Sequence, residues 1–281
     1  MKKIFALLMI CALILVTGCG SSDDKKVSNN AGQIKLGMIK HLNVTETLLD
    51  NYFEKAASRM SQTSGMYAPK HIFFDNMTSM VAALQSGQVD ALSTYRIVAG
   101  YLLAQDESLK VVTERVPKVS DSFCCAMREE DSALKKEFDD AILKLTADGT
   151  LKQLVKTYVT EVDLNGTMPA VDMPNFDGAE TIKVAVTGDL PPLDFVTADG
   201  KAAGFNTAML AAISQLIGKN FELVQVDSGA RAVALTSKKV DVVFWVAVPD
   251  NNTLSPPNCD TPEGVIVTEP YFSDEVVHVS K

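Results

Sequence analysis

Three histidines are all the chain has, at His41, His71 and His278. No Cys-x-x-Cys pair accompanies them, so the ligand spacing of a zinc site is missing. Gly-x-Ser-x-Gly, His-Glu-x-x-His, Gly-x-Gly-x-x-Gly and phosphate-loop patterns are missing too. Carboxylates are plentiful, but no spacing singles out an acid–base pair. These gaps argue against an enzyme and suggest neither a metal nor a cofactor. Basic residues are in deficit: 26 Lys and Arg stand against 35 Asp and Glu, a formal net charge of -9. Such a chain is a poor partner for nucleic acid or anionic lipid surfaces.

Long apolar runs are scarce. The one that matters follows Lys2 and Lys3, spans residues 4–16, and leads into Val16-Thr17-Gly18-Cys19. This is the pattern of a bacterial lipoprotein signal peptide, residues 1–18, cleaved before a lipidated Cys19. The other reading, a single membrane anchor, needs a longer apolar run. Residues 19–33 are polar, without periodicity, and are expected to form a flexible tether. The folded part is therefore expected outside the cytoplasm, held to the cell membrane by acyl chains. Cys11 leaves with the leader. Cys124, Cys125 and Cys259 remain, either as buried inert thiols or with one disulfide from Cys259 to the vicinal pair.

Short apolar runs bounded by turn signals alternate with helical periodicity along the rest. Residues 34–39, 71–74, 89–92 and 109–112 are expected strands. Between them, one helix presents Leu48, Leu49, Tyr52, Phe53, Ala56 and Met60 on one face. A second, capped by Asn76, ends at Gly87, and a third covers 97–103. Residues 122–128 form another strand, followed by two helices. The Pro- and Gly-rich stretch 162–180 is a connector. Then come strand 182–186, the Pro191-Pro192 pair, a turn at Ala198-Asp199-Gly200-Lys201, and a helix expected to be capped by Asn206. Strands at 221–226 and 240–245 and a Pro-rich loop at 249–264 complete the pattern. It predicts an α/β fold with mainly parallel sheet. Ala-Leu-x-Ser-x-x-Val-Asp occurs twice, at 83–90 and 234–241, an internal echo that suits two lobes of one topology.

The stretch from Ile182 through Pro191-Pro192-Leu193-Asp194-Phe195, Asp199-Gly200-Lys201 and Gly204-Phe205-Asn206 resembles the opening of the family 3 extracellular solute-binding proteins, receptors of ABC importers. Ala83-Leu84 through Val89-Asp90-Ala91 resembles that family's second lobe. Leu145-Thr146-Ala147-Asp148-Gly149-Thr150 resembles its C-terminal signature. The resemblance implies a periplasmic-binding-protein-like type II fold. The family's order, however, is displaced. Here 34–118 corresponds to lobe 2, 121–160 to the return strand and helices packing on lobe 1, 161–180 to a linker and 181–281 to lobe 1. The chain is thus expected to be a circular permutant.

What the resemblance implies about function is a lipid-anchored, monomeric receptor that binds a small polar, amino-acid-like solute for an ABC permease. A sensor or vestigial receptor without transport is the alternative, and a dehydratase-like enzyme on the same fold a weaker one. In such a fold, loops at the C-terminal strand ends converge on a cleft. The ligand candidates are then Asn43, Thr45, Asn76, Tyr95 and Arg96 in one lobe. In the other they are Asp189, Asp194, Phe195, Arg231 and Trp245. His41, Thr78, Ser93, Thr94, Leu190, Asp227 and Ser228 flank them. Asn43, Thr45, Asn76 and Asp227 also suit plain helix caps. The family's carboxylate-clamping arginine is missing from Val248-Pro249-Asp250-Asn251-Asn252-Thr253. Tyr95 stands where the family has its ammonium-binding aspartate, and Leu190 where an aromatic stacks on the ligand. Simple α-amino acids are therefore not the expected ligands.

Overall fold

A computed structural model describes residues 33–60, 68–112, 119–249 and 260–281. The expected leader, the tether apart from Gln33, the lipid site Cys19, the Met60 side chain and Cys259 lie outside what is described. In chain order the elements are β1 (Lys35–Ile39), α1 (Glu46–Met60), β2 (Lys70–Phe74), α2 (Met77–Ser86), β3 (Ala91–Tyr95), α3 (Arg96–Gln105) and β4 (Lys110–Val112). Next come β5 (Val119–Arg128), α4 (Ser132–Ala147) and α5 (Thr150–Val155). The remainder is β6 (Thr181–Val186), β7 (Asp189–Leu190), β8 (Asp194–Val196), β9 (Ala202–Ala203), α6 (Phe205–Ile217), β10 (Asn220–Gln225), α7 (Arg231–Thr236), β11 (Val242–Pro249), β12 (Val265–Val267) and β13 (Phe272–Ser280).

Among the described residues, ten strands make one mixed sheet, with a main path β10-β6-β11-β5-β13-β3-β1-β2. The two ends of this path have the same logic. In each, three parallel strands stand in the order second, first, third: β2-β1-β3 at one end and β10-β6-β11 at the other. Between them, β5 and β13 run antiparallel to each other and to the strands they flank. Each of these long strands carries the chain across the middle of the sheet. The chain is α/β with two similarly wound halves.

The sequence echo has a physical meaning in this arrangement. Asp90 receives the Lys35 amide on its carboxylate at 2.7 Å, and its own amide donates to the Lys35 carbonyl at 2.9 Å. Asp241 treats Lys183 the same way, at 3.0 and 2.8 Å. Each Val-Asp pair thereby locks the third strand of its half to the start of the first. The preceding turns match as well. The amides of Val89 and Val240 reach back to the carbonyls of Ala83 and Ala234. Gly87, with φ 76°, takes the left-handed residue of the first turn, whereas Lys238, with φ 61°, takes it in the second. Glycine adopts that conformation without a Cβ penalty, and lysine does not.

Three local expectations differ from what is found. Asn206 does not cap α6; Gly204 is the cap and Asn206 is fully buried within the first turn. The amides of Phe205 and Asn206 are satisfied by the carbonyls of Pro192 and Leu193, at 3.0 and 2.7 Å, so no side-chain cap is needed. Leu48 leaves the expected apolar face of α1, being 52% exposed, while Leu49 is buried. The cluster beneath α1 is small, Val44 and Leu49 with Met38, Phe53 and Phe73 against them, and has room for only a narrow stripe. Trp245 does not end its strand either. β11 runs on to Pro249 because it gains an antiparallel partner in β5.

At the centre lies Phe123 of β5, fully buried. Trp245 stacks on it with ring centres 4.6 Å apart, and Tyr95 meets it edge-on at 4.6 Å. Phe272 approaches it at 5.5 Å. Such pairs add to area burial and hold side chains in place. The helices that follow β5 pack on the second half, where Phe138 of α4 stacks on Phe221 of β10 at 5.5 Å.

Candidate functional site

The C-terminal ends of β1 and β3 face those of the second half across β5 and β13. Between them lies a cavity of about 70 Å³. Met38, Ile39, Lys40 and His41 line it from β1 and the loop beyond. Ser93, Thr94 and Tyr95 line it from β3. The opposite wall is Leu190, Arg231, Trp245 and Asp260, and the floor is Asp121 and Val276 of the two crossing strands.

Polar groups hold the two walls together directly. Asp260 is 2% exposed and is the most heavily engaged. Its carboxylate accepts the Leu42 amide at 2.6 Å and the Ala247 amide at 3.0 Å, and stands 3.3 Å from His41 Nδ1. Burial alone would raise its pKa. The charge and hydrogen bond of His41, the Arg231 charge and the Ala247 amide outweigh that and hold it near 2. Burial would likewise lower the His41 pKa, and Asp260 overrides it, so the imidazolium is favoured. By linkage, the His41 contribution to stability is full below the unfolded value of about 6.5 and fades as pH rises through the elevated folded value.

Arg231, 3% exposed, spends its guanidinium on backbone. It donates to the carbonyl of Trp245 at 2.8 Å and to that of Lys40, in the other half, at 3.0 Å. The Ser228 amide donates to the Asp75 carbonyl at 2.9 Å, a further bond between the halves. Tyr95 donates its hydroxyl to Asp121 at 3.0 Å. Burial, and then the Asp121 charge, push the phenol well above its usual range. Trp245 is 7% exposed, and its indole N–H has no hydrogen-bond partner among the described residues.

Of the sequence candidates, Tyr95, Arg231 and Trp245 meet at this cavity, with His41, Ser93, Thr94 and Leu190 beside them. The others take different places. Thr45 and Asn76 cap α1 and α2, accepting the amides of Leu48 at 3.3 Å and Ser79 at 2.9 Å. Asn43 is exposed on the loop before α1. Arg96, 55% exposed, pairs with Glu275 at 2.7 Å. Asp189 accepts the Thr78 amide at 3.2 Å, which joins the halves outside the cavity. Asp194 is buried and receives the Thr187 hydroxyl at 2.6 Å and the Gly188 amide; burial nevertheless lifts its pKa to about 6. Phe195 pairs with Ala203 in the small β7-β8-β9 sheet. Asp121 and Asp260 had no sequence signal. One is the third residue of β5 and the other lies within the Pro-rich stretch 249–264, and nothing local marks either as buried.

No group of His, Cys, Asp and Glu among the described residues can hold a metal ion. No helix among them is long and apolar enough to cross a membrane.

In comparison with known proteins, residues 182–248 match the model of the bacterial extracellular solute-binding proteins, family 3. That segment contains β6 to β11, with Arg231 and Trp245. No curated protein matches the chain. Among solved structures, the ligand-binding component of an ABC-type import system from Staphylococcus aureus is 10% identical, with a TM-score of 0.42. The alignment covers 87% of this chain and spans 65% of that one. A periplasmic substrate-binding protein of an ABC transporter from Coxiella burnetii is 17% identical, with TM-score 0.38 and coverage of 88% and 84%. The GluR0 ligand-binding core from Nostoc punctiforme, in complex with L-glutamate, is 10% identical, with TM-score 0.37 and coverage of 88% and 84%.

Proposed function

We propose that this protein is an extracytoplasmic solute-binding protein that encloses a small polar solute between its two halves and delivers it to an ABC permease. The observation that carries the reading is the cavity between the strand ends, walled by both halves and spanned by direct bonds from Asp260 and Arg231. A binding site made by two halves is one that opens and closes as they move. The family match over 182–248 supports the same reading. Lipidation at Cys19 is the proposed anchor; a Cys19→Ala chain that stays with membranes at high salt would rule it out.

The test of binding is thermal. Any solute that binds the folded state alone raises the melting temperature, by RT ln(1 + [L]/Kd) in free energy. A panel of small polar solutes should contain at least one that raises it in the wild type and not in Trp245→Ala. A panel without such a hit contradicts the reading.

The order of the halves is proposed to be that of a circular permutant, with 34–118 as lobe 2 and 181–281 as lobe 1. It is supported by the matching second-first-third order on each side of β5 and β13. The helices of 121–160 pack on α6 and β10 rather than on the half they follow in sequence. Expressed alone, residues 33–160 should therefore not fold, because Phe138, Ile142 and Leu145 lose the surface that buries them. Mixing with residues 181–281 should restore a folded complex. Two fragments that each fold and ignore one another would show tandem half-receptors instead.

A further inference from the structure

We infer that the ligand of this cavity is a small uncharged polar molecule of the size and kind of a simple amide. This deepens the receptor reading and rests on it. The charges in the wall balance: Asp121 and Asp260 are matched by Arg231 and His41, and all four line the cavity. Each is already engaged. Asp260 holds His41 and two backbone amides, Asp121 holds the Tyr95 hydroxyl, and Arg231 is spread over backbone carbonyls of both halves. Lys40 contributes to the wall but is exposed to solvent. Lys40 apart, whose side chain reaches solvent, a charged group entering this space finds no counter-charge that is not already committed, and burial of an unmatched charge is strongly disfavoured. A carboxylate would have to pull Arg231 from the two carbonyls that tie the halves together. An ammonium group would have to take Asp260 from His41, or Asp121 from Tyr95.

Uncharged polar capacity is what remains. The Trp245 N–H has no partner, and the side chains of Ser93 and Thr94 make no hydrogen bond elsewhere among the described residues. One donor and two hydroxyls of either role suit a carbonyl with an adjoining N–H or O–H. Met38, Ile39, Leu190 and Val276 make the rest of the lining apolar. The enclosed 70 Å³ is enough for about five water molecules at the 10–15 Å³ each requires. That bounds the enclosed part of a ligand to a handful of non-hydrogen atoms.

Three probes of one shape isolate the charge: acetamide, acetate and acetamidinium, with glycine as a zwitterion. Ligand-observed NMR titration of the full chain should show acetamide binding at least tenfold more tightly than the other three. Trp245→Phe keeps the ring on Phe123 and removes the N–H, and should weaken acetamide about five- to tenfold, the worth of one hydrogen bond. Asp260→Asn removes the carboxylate that holds the His41 imidazolium; an entering acetate can take that place, so acetate should rise to at least the affinity of acetamide. Acetate, acetamidinium or glycine binding the wild type as tightly as acetamide, in competition with it, overturns the uncharged class and leaves the receptor reading standing. Failure of all four probes overturns the inference alone, since the wider solute panel judges the receptor reading separately.

Discussion

Replacing Arg128 by methionine should lower stability by about 4 kcal/mol, the scale for breaking a buried ion pair from one side. Arg128 ends β5 and is 8% exposed. Its guanidinium donates to the carbonyls of Leu235 and Val240 at 3.0 and 2.7 Å. It also pairs with Asp241 at 3.1 Å and Asp131 at 2.7 Å. Methionine fills most of the volume but takes the donor from the Val240 carbonyl, leaves the Leu235 carbonyl only the Lys238 amide, and leaves two carboxylates without a cation. The damage spreads, because Asp241 also anchors Lys183 at the start of β6. Lysine should recover little, since a point charge cannot serve carbonyls and carboxylates in a planar fork. Urea unfolding of the variants gives the free energies directly; a loss under 1 kcal/mol for the methionine variant would contradict this account of the second half.

The second large effect is an acid sensitivity lodged in β13. His278 is 8% exposed, and its Nδ1 has no partner among the described residues. Burial, helped slightly by the nearby His71, lowers its pKa to about 4. The sign follows from the neutral ring being favoured in the folded state. The stability it supports is present above the unfolded value of about 6.5 and is lost as pH falls through 4. The gap of about 2.5 pH units corresponds to roughly 3 kcal/mol. Asp194 works against it. Its folded pKa near 6 lies above the ordinary 3.8, so its burden on the fold is relieved as pH falls between those values. The two must be separated by a difference curve. Between pH 6.5 and 4, wild type should lose about 3 kcal/mol relative to His278→Asn; parallel curves would show that His278 is not the sensor.

How much of this was legible in the chain differs from residue to residue. The two Val-Asp pairs were visible because a helix end, the turn after it and the acid that anchors the next strand lie within eight consecutive residues. Gly87 and the Asp199-Gly200 turn were visible for the same reason: the chemistry is local. Tyr95, Arg231 and Trp245 could be proposed because strand ends and helix starts are where a cleft forms in such sheets. Asp260 could not. Its role comes from the amides of Leu42 and Ala247, one of them 218 positions away in the chain. Asn206 misled for the opposite reason. A good capping residue stood in the right place, but the carbonyls of Pro192 and Leu193 had already satisfied the helix. Arg96 looked like a ligand for the cleft and pairs with Glu275 because β13 runs alongside β3.

The central claim is that one solute is gripped by both halves at once. Hydrogen exchange measures it most directly, comparing the full chain with and without the strongest hit from the solute panel. Bound solute should slow exchange together at the end of β1 and its loop, at the end of β3, at the start of α7 and around Trp245. Protection confined to one half, or lying away from these four segments, would contradict the account.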